Sequence, residues 1–343
     1  MADSASRPLP RLAAVLRDRA SSRLWRGGTA LVLVAALLLG WWLWPSSPAP
    51  YPRGTVGFAT GVPRGVYERY GQLLQAYVHR AMPGVGLRLD ASEGSPDNLQ
   101  KVASGRDSFA IATADAVATY SGPDRARLRG IARLYDDYMQ LVVPADSPVH
   151  NVADLKGRTV SVGQPLSGVN LVTERLLAAA GLDPEHDIHP VPLGIGDAVD
   201  ALRDGRIDAL FWSGGLPTAA VDDLSHQLRI RLVPLGQLAE RLHLDGGEGA
   251  AAYRAAVMPA DAYPEAQPAN TPVSTVAVAN LMVTRNDTDT RLVQAMTRAV
   301  IDSRDAIGSE VHAAQLMDLR TAIYTDPLQL HEGARRYYAS VKP

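Results

Sequence analysis

Cysteine is absent from all 343 residues of the chain. Disulfide bonds, thiolate nucleophiles and cysteine-ligated metal sites are therefore excluded, and so is a lipoprotein anchor, which needs a cysteine to acylate. Charged residues make up 20% of the sequence and hydrophobic residues 46%, which are ordinary values for a globular protein with a buried core. The chain is long enough for one large domain or two medium ones.

Basic charge is scarce outside the first residues. Residues 1–50 carry six arginines and two aspartates, a net charge of +4, whereas the whole chain has a formal net charge of -2. Residues 51–343 therefore hold 28 basic and 34 acidic side chains, a net charge of -6. An acidic body argues against a nucleic-acid partner, because phosphate backbones bind to basic surfaces. It is compatible with anionic small molecules, which bind to local dipoles.

Motifs of the familiar enzyme classes are missing as well. Ser167 and Ser213 do not lie in the G-x-S-x-G sequence of a hydrolase nucleophile elbow. The glycine-rich loops match neither the dinucleotide-binding pattern nor the P-loop pattern. His186 and His189 lie beside prolines in a loop, without the helical H-x-x-x-H spacing that binds zinc. We therefore predict a protein that is not an enzyme, with no catalytic residue, no metal and no cofactor.

One long uncharged apolar run is present near the N-terminus, at residues 27–44. As a helix it would span about 27 Å, close to the thickness of the hydrocarbon core of a bilayer. The arginines all precede the run, so the positive-inside rule keeps residues 1–26 in the cytoplasm and exports the rest. Flanking tryptophans favour a retained transmembrane anchor, and the alternative is a cleaved signal peptide with a secreted or periplasmic product. Residues 45–53 form a proline-rich spacer.

The body of the chain alternates short apolar runs with amphipathic stretches. Repeated strand-then-helix units predict a mainly parallel sheet flanked by helices. We predict two α/β lobes, residues 54–143 and 144–283, with C-terminal helices at 284–343 that return to the first lobe. The sequence Asp-Asp-Tyr at residues 136–138 predicts a solvated turn. Ligands of such folds bind where the carboxyl ends of strands lead into helices.

Four polar or glycine-rich loops follow predicted strands and precede predicted helices. They are residues 61–67, 92–99, 163–170 and 212–218. Each loop alone is more often a turn with a helix cap, but four loops at equivalent places in an α/β series indicate a binding site. Glycines let the backbone approach a ligand, and free N–H groups at helix N-termini attract a carboxylate.

These loops resemble those of TAXI-type solute-binding subunits of tripartite ATP-independent periplasmic (TRAP) transporters. Residues 59–71 (ATGVPRGVYERYG) resemble the glycine-rich opening motif of the family, and residues 154–170 (DLKGRTVSVGQPLSGVN) resemble its D-L-K-G-K-x-V-x-V-G-x-x-G-S-G-T pattern. Residues 201–217 match A-L-x-x-G-x-I-D-A-x-F-x-x-x-G-x-P closely. The resemblance implies a type II periplasmic-binding-protein fold, with two α/β lobes joined by a two-segment hinge.

The resemblance and the loops together define a candidate ligand site. Arg64 stands where the family usually has glycine, and its guanidinium could bind a ligand carboxylate, form an ion pair between the lobes or face solvent. Asp115 follows a strand and either faces the ligand or caps a helix. The candidate ligand-binding residues are Arg64, Gly65, Tyr67, Ser95, Asn98, Asp115, Tyr135, Ser167, Gly168, Asn170, Gly215 and Pro217.

The sequence therefore predicts a membrane-anchored extracytoplasmic receptor that captures a small carboxylate-bearing solute for a TRAP membrane permease. The resemblance suggests a ligand of the glutamate and amino-acid class or of the dicarboxylate class. The alternative is a sensory or accessory receptor on the same fold that signals to a membrane partner. An enzyme on this scaffold is a third interpretation, for which the sequence offers no pair of nucleophile and base.

Overall fold

The structure, a computed structural model, describes most of the chain beyond residue 50. The described residues are 51–63, 65–244, 247 and 249–341, together with Val34, Ala35 and Leu38. The chain divides into two compact units, Met1–Pro50 and Tyr51–Pro343. All strands and helices discussed below belong to the second unit.

The predictions for the N-terminus fall almost wholly outside the described residues. This applies to the cytoplasmic segment 1–26, to all but three positions of the anchor 27–44, and to residues 45–50 of the spacer. The candidate ligand-binding residue Arg64 also lies outside them. Among the residues that are described, no helix has both the length and the apolar character needed to cross a membrane.

Ten strands form one mixed sheet in residues 51–341. They are β1 (Gly54–Ala59), β2 (Val85–Asp90), β3 (Phe109–Thr113), β4 (Leu128–Pro144), β5 (Thr159–Ser161), β6 (His189–Val191), β7 (Ala209–Gly214), β8 (Ile230–Val233), β9 (Tyr253–Met258) and β10 (Val273–Arg285).

Eleven α-helices accompany the sheet in the same range. They are α1 (Val66–Ala81), α2 (Ser95–Ala103), α3 (Ala114–Thr119), α4 (Gly168–Ala179), α5 (Ile195–Arg203), α6 (Ala219–Gln227), α7 (Leu238–Leu244), α8 (Thr290–Asp302), α9 (Arg304–Gly308), α10 (Leu319–Ala322) and α11 (Glu332–Val341). Short 3₁₀ helices lie at Arg125–Arg127, Val152–Leu155, Ala250–Ala252 and His312–Leu316.

An antiparallel pair, β4 and β10, forms the centre of the sheet. The main strand order is β2-β1-β3-β10-β4-β7-β5-β6, so a parallel group of three strands lies on each side of the pair. β4 pairs with β10 along its first part and with β7 and β8 along its last part, and β10 also pairs with β3 and β9. The prediction of a mainly parallel sheet is wrong, because both central strands run against their neighbours.

The predicted turn at residues 136–138 is also wrong, because these residues lie within the 17-residue strand β4. Successive side chains of a strand point to opposite faces, so the two neighbouring aspartates have different surroundings. Asp136 forms ion pairs with Arg133 and Arg254. The side chain of Asp137 is on the other face and is only 3% exposed.

Local sequence accounts for the helices that surround the sheet. In α1, the buried residues Tyr70, Leu74 and Val78 recur every four positions and form one apolar face. This face belongs to a buried cluster that also contains Phe58 of β1 and residues of α8 and α11, so the C-terminal helices pack on the first part of the chain. A second cluster surrounds β5 and β7. The division into lobes at residues 143 and 283 stays a prediction.

We expect residues 51–343 to fold without residues 1–50, because every strand and both buried clusters lie in this unit. A fragment that begins at Tyr51 should show one cooperative thermal transition by circular dichroism, with the near-ultraviolet spectrum of the full chain. A gradual melt without a cooperative transition, or loss of the near-ultraviolet signal, would contradict the expectation.

Candidate functional site

A cavity of about 50 Å³ lies where four strand-to-helix loops converge. The N-cap residues of α1, α2, α4 and α5 all line it, and they are Gly65, Gly94, Ser167 and Gly194. At the three glycines no side chain caps the helix. The first N–H groups of a helix carry partial positive charge, so four N-termini directed at one cavity favour an anionic group there.

The loops on the two sides of the cavity touch each other at a glycine. Gly94 has φ +131°, and a Cβ atom at this position would lie 3.1 Å from Cα of Ser167. On the other side, a Cβ atom at Gly168 would lie 3.2 Å from Oγ of Ser95. Glycine is therefore required at residue 94 both for backbone conformation and for close approach.

Tyr67 connects the elements around the cavity through its phenol group. Its hydroxyl donates to Oδ1 of Asn280 on β10 and lies 3.1 Å from Oγ of Ser95 on α2. Oγ of Ser95 in turn accepts a hydrogen bond of 3.1 Å from the N–H of Thr113 on β3. Burial raises the pKa of Tyr67 well above its usual value, so the phenol remains a protonated donor.

Asp137, like Thr113, Gln164 and Ser213, lines the cavity but was not among the predicted ligand-binding residues. Its side chain lines the cavity, and its Oδ1 has no hydrogen-bond partner among the described residues. Burial raises the pKa of Asp137 to about 7, the amide of Asn280 lowers it in part, and the charges of Asp136 and Asp115 raise it further. Residues 128–144 do not alternate regularly between buried and partly exposed positions, so no strand pattern pointed to this side chain.

Three other polar atoms of the cavity wall also lack a hydrogen-bond partner among the described residues. They are Oγ1 of Thr113, Oε1 of Gln164 and Oγ of Ser213. Buried polar groups are normally hydrogen-bonded, so this concentration indicates a place where a polar ligand completes the bonding. In the part of the chain that the structure describes, no group of three or more histidine, aspartate or glutamate side chains is placed to hold a metal ion.

Five of the predicted ligand-binding residues lie together around the cavity. They are Gly65, Tyr67, Ser95, Ser167 and Gly168. Each of them lies in a loop or at a helix start that directly follows a strand, as the sequence pattern predicted. The loops that carry them all contribute to this one cavity.

Other predicted residues lie behind the cavity wall. The Nδ2 of Asn98 donates to two backbone carbonyl oxygens at 2.7 Å, so this side chain connects Thr60, the residue after β1, with β3. Asp115 accepts a hydrogen bond of 2.6 Å from the phenol of Tyr253. Tyr135 is buried with its ring centroid 6.1 Å from that of Tyr70. None of these three predicted residues lines the cavity.

Asn170, Gly215 and Pro217 also lie outside the cavity lining. The N–H of Asn170 donates to Oγ of Ser167, and this hydroxyl caps α4. Gly215 and Pro217 belong to the turn after β7, where the carbonyl of Gly215 accepts a hydrogen bond from Thr218. Thr218 also accepts from the indole N–H of Trp212, which does line the cavity. This turn therefore positions a cavity residue.

The substitution Tyr67→Phe should destabilise the protein, because Oδ1 of the fully buried Asn280 loses its donor. We expect the free energy of unfolding to fall by about 1–3 kcal/mol in urea titrations. Tyr77→Phe, on the partly exposed side of the same helix, is the control and should change it by less than about 0.5 kcal/mol. Equal effects of the two substitutions would show that the Tyr67–Asn280 hydrogen bond does not stabilise the fold.

The substitution Asp137→Asn should stabilise the protein at alkaline pH. A carboxyl group whose pKa is raised on folding, here from 3.8 to about 7, stabilises the fold below its ordinary pKa, and this contribution is lost as the pH rises through about 7. The variant should therefore match the wild type near pH 4 and exceed it by about 2–4 kcal/mol near pH 8. Asp261→Asn, at an exposed position outside the cavity lining, is the control, and a similar pH-dependent gain there would contradict the assignment.

Comparisons with known proteins agree with this architecture. Residues 58–340 match the NMT1-like family. A solved structure described as a periplasmic transporter superimposes with a TM-score of 0.50 at 14% identity, covering 84% of this chain and 95% of its own.

Two further structures are more distant. The periplasmic aliphatic sulphonate binding protein of Escherichia coli has a TM-score of 0.40 at 18% identity and coverages of 85% of this chain and 84% of its own. The substrate binding protein of an amino acid ABC transporter has a TM-score of 0.43 at 14% identity and coverages of 75% and 99%. The match over residues 58–340 spans most of the sequence. The chain has an α/β periplasmic-binding-protein-like fold and belongs to the NMT1-like family.

Proposed function

We propose that this protein is an extracytoplasmic solute-binding protein that captures a small carboxylate-bearing solute for a TRAP-type secondary transporter. The observation that carries the proposal is the convergence of four helix N-termini on one cavity, three of them without a side-chain cap. The site offers binding groups without a metal cluster among the described residues. Its role is to hold a ligand and release it unchanged.

The carboxylate would bind to the N–H groups at the starts of α1, α2, α4 and α5. Each helix N-terminus acts as about half a positive charge, and exclusion of water strengthens this attraction. The loops at Gly94 and Ser167 contact each other across the cavity, so they would separate to admit the ligand and close over it. Such closure is the usual movement of two-lobed binding proteins.

The proposed lobes are residues 54–143 and 144–283, with residues 284–343 packed on the first. In this arrangement β4 and β10 are the two segments of the hinge, because they pair with each other while β10 pairs with β3 of one parallel group and β4 pairs with β7 of the other. The motifs at residues 154–170 and 201–217 support the assignment to a TRAP system. An anchor at residues 27–44 would keep the receptor beside its permease.

A thermal-shift screen of the purified full-length chain tests the proposed function. The probes are amino acids, dicarboxylates and 2-oxo acids, and a ligand at a hundred times its Kd should add about 2.7 kcal/mol of stability. Stabilisation by at least one carboxylate is the expected outcome. If neutral sugars stabilise the protein and no carboxylate does, the proposed ligand class is wrong.

The substitution Gly94→Ala should weaken binding of the carboxylate found in this screen by tenfold or more, because the added methyl group separates the loops that close the cavity. Gly54→Ala is a matched control, since Gly54 has nearly the same φ, +133°, but open space around it. Both variants should lose stability through backbone strain, and only the first should lose affinity in isothermal titration calorimetry. Equal affinities of the two variants would exclude the loop contact from the binding site.

A further inference from the structure

We propose that Asp137 binds an ammonium group of the ligand, so that the solute is a zwitterionic α-amino acid and not a dicarboxylate or a 2-oxo acid. The proposal rests on the proposed function and specifies the ligand of the same site. In this arrangement the helix N-termini bind the carboxylate of the amino acid. Asp137 supplies the opposite charge for its nitrogen.

The first argument is the position of the carboxyl group. Asp137 is 3% exposed and lines the cavity, and its Oδ1 has no hydrogen-bond partner among the described residues. A buried carboxylate is costly unless a cation or several donors compensate it. A ligand cation in the cavity would provide this compensation.

The second argument is the charge of the groups around Asp137. The titratable groups that line the same cavity or lie close to this carboxyl are Tyr67 of α1, Glu93 before α2, Asp115 of α3, and Tyr135 and Asp136 of β4. All of them are acidic or phenolic, and Asn280 of β10 is neutral. The nearby arginines at 133 and 254 pair with Asp136 on the opposite face of the strand. Within the described residues, therefore, the protein supplies no cation to Asp137.

The third argument is the hydrogen-bonding capacity of the cavity. An ammonium group has three N–H donors and needs three acceptors. Besides Asp137, the wall offers Oγ1 of Thr113, Oε1 of Gln164 and Oγ of Ser213, all without a partner among the described residues. A keto oxygen or a second carboxylate is only an acceptor, and would face Asp137 without a hydrogen bond when that residue is ionised.

Binding of an ammonium group should release a proton from the protein. Because the pKa of Asp137 is raised to about 7, its carboxyl is partly protonated at neutral pH in the free protein. A bound cation favours the ionised form, so the proton passes to the buffer. The structure thus predicts about half a proton released for each ligand bound near pH 7.

Isothermal titration calorimetry of the full-length chain tests the proposal with pairs that differ only at C2. The pairs are alanine with pyruvate, aspartate with oxaloacetate, and glutamate with 2-oxoglutarate. In the pair that binds, the amino acid should bind about a hundredfold more tightly than its 2-oxo acid. Titrations near pH 7 in two buffers of different ionisation enthalpy should show proton release.

The variant Asp137→Asn separates recognition from a structural role. It should bind the amino acid at least tenfold more weakly, lose the proton release, and bind the 2-oxo acid no more weakly than the wild type. The control Asp261→Asn, at an exposed position outside the cavity lining, should keep the affinity and the proton release of the wild type.

Three outcomes overturn the proposal. Equal or tighter binding of the 2-oxo acid would exclude the ammonium contact, while the proposed carboxylate-binding function would stand. Unchanged affinity and proton release in Asp137→Asn would exclude this residue as the contact. If neither member of any pair binds to the folded chain, and no carboxylate stabilises it in the thermal-shift screen, both the proposed function and this inference are overturned.

Discussion

The antiparallel pairing of β4 with β10 is the constraint on which the candidate site depends. The ladder has a bulge, because two residues of β4, Leu134 and Tyr135, stand opposite the single residue Asn280. Asn280 lies opposite this bulge, and its Oδ1 accepts a hydrogen bond from the phenol of Tyr67. Asp137 follows two positions beyond the bulge and lines the cavity. A sheet without this pairing would leave four loops around a cavity that lacks Asp137 in its wall.

The sequence allowed much of the site to be predicted, because loops between strands and helices leave a local pattern. Gly65, Ser95 and Gly168 could be found in this way, and all three line the cavity. Asp137 and Asn280 could not, because they lie inside long strands that pair across more than a hundred residues of sequence. Nothing in the local sequence indicates which strands will be neighbours, and an acidic pair resembles a solvated turn.

The arrangement of the sheet was mispredicted for the same reason. Strand-then-helix units correctly indicated the two parallel groups, since each unit is local. The central strands are long and reversed, and their partners come from both halves of the chain. The predicted residues Asn98 and Tyr135 lie close to the cavity but behind its wall, because a sequence pattern locates a loop more accurately than it orients a side chain.

Different parts of this structure would select the size and the charge of the ligand. A cavity of about 50 Å³ holds about two water molecules, so a larger ligand must separate the loops at Gly94 and Ser167. Those loops therefore limit size, whereas Asp137, on a strand that pairs on both sides, stays in place and distinguishes charge. An uncompensated buried carboxyl group destabilises the free protein, and such a cost is typical of residues retained for binding. The same carboxyl would give the closed state its stability once a cation fills the cavity.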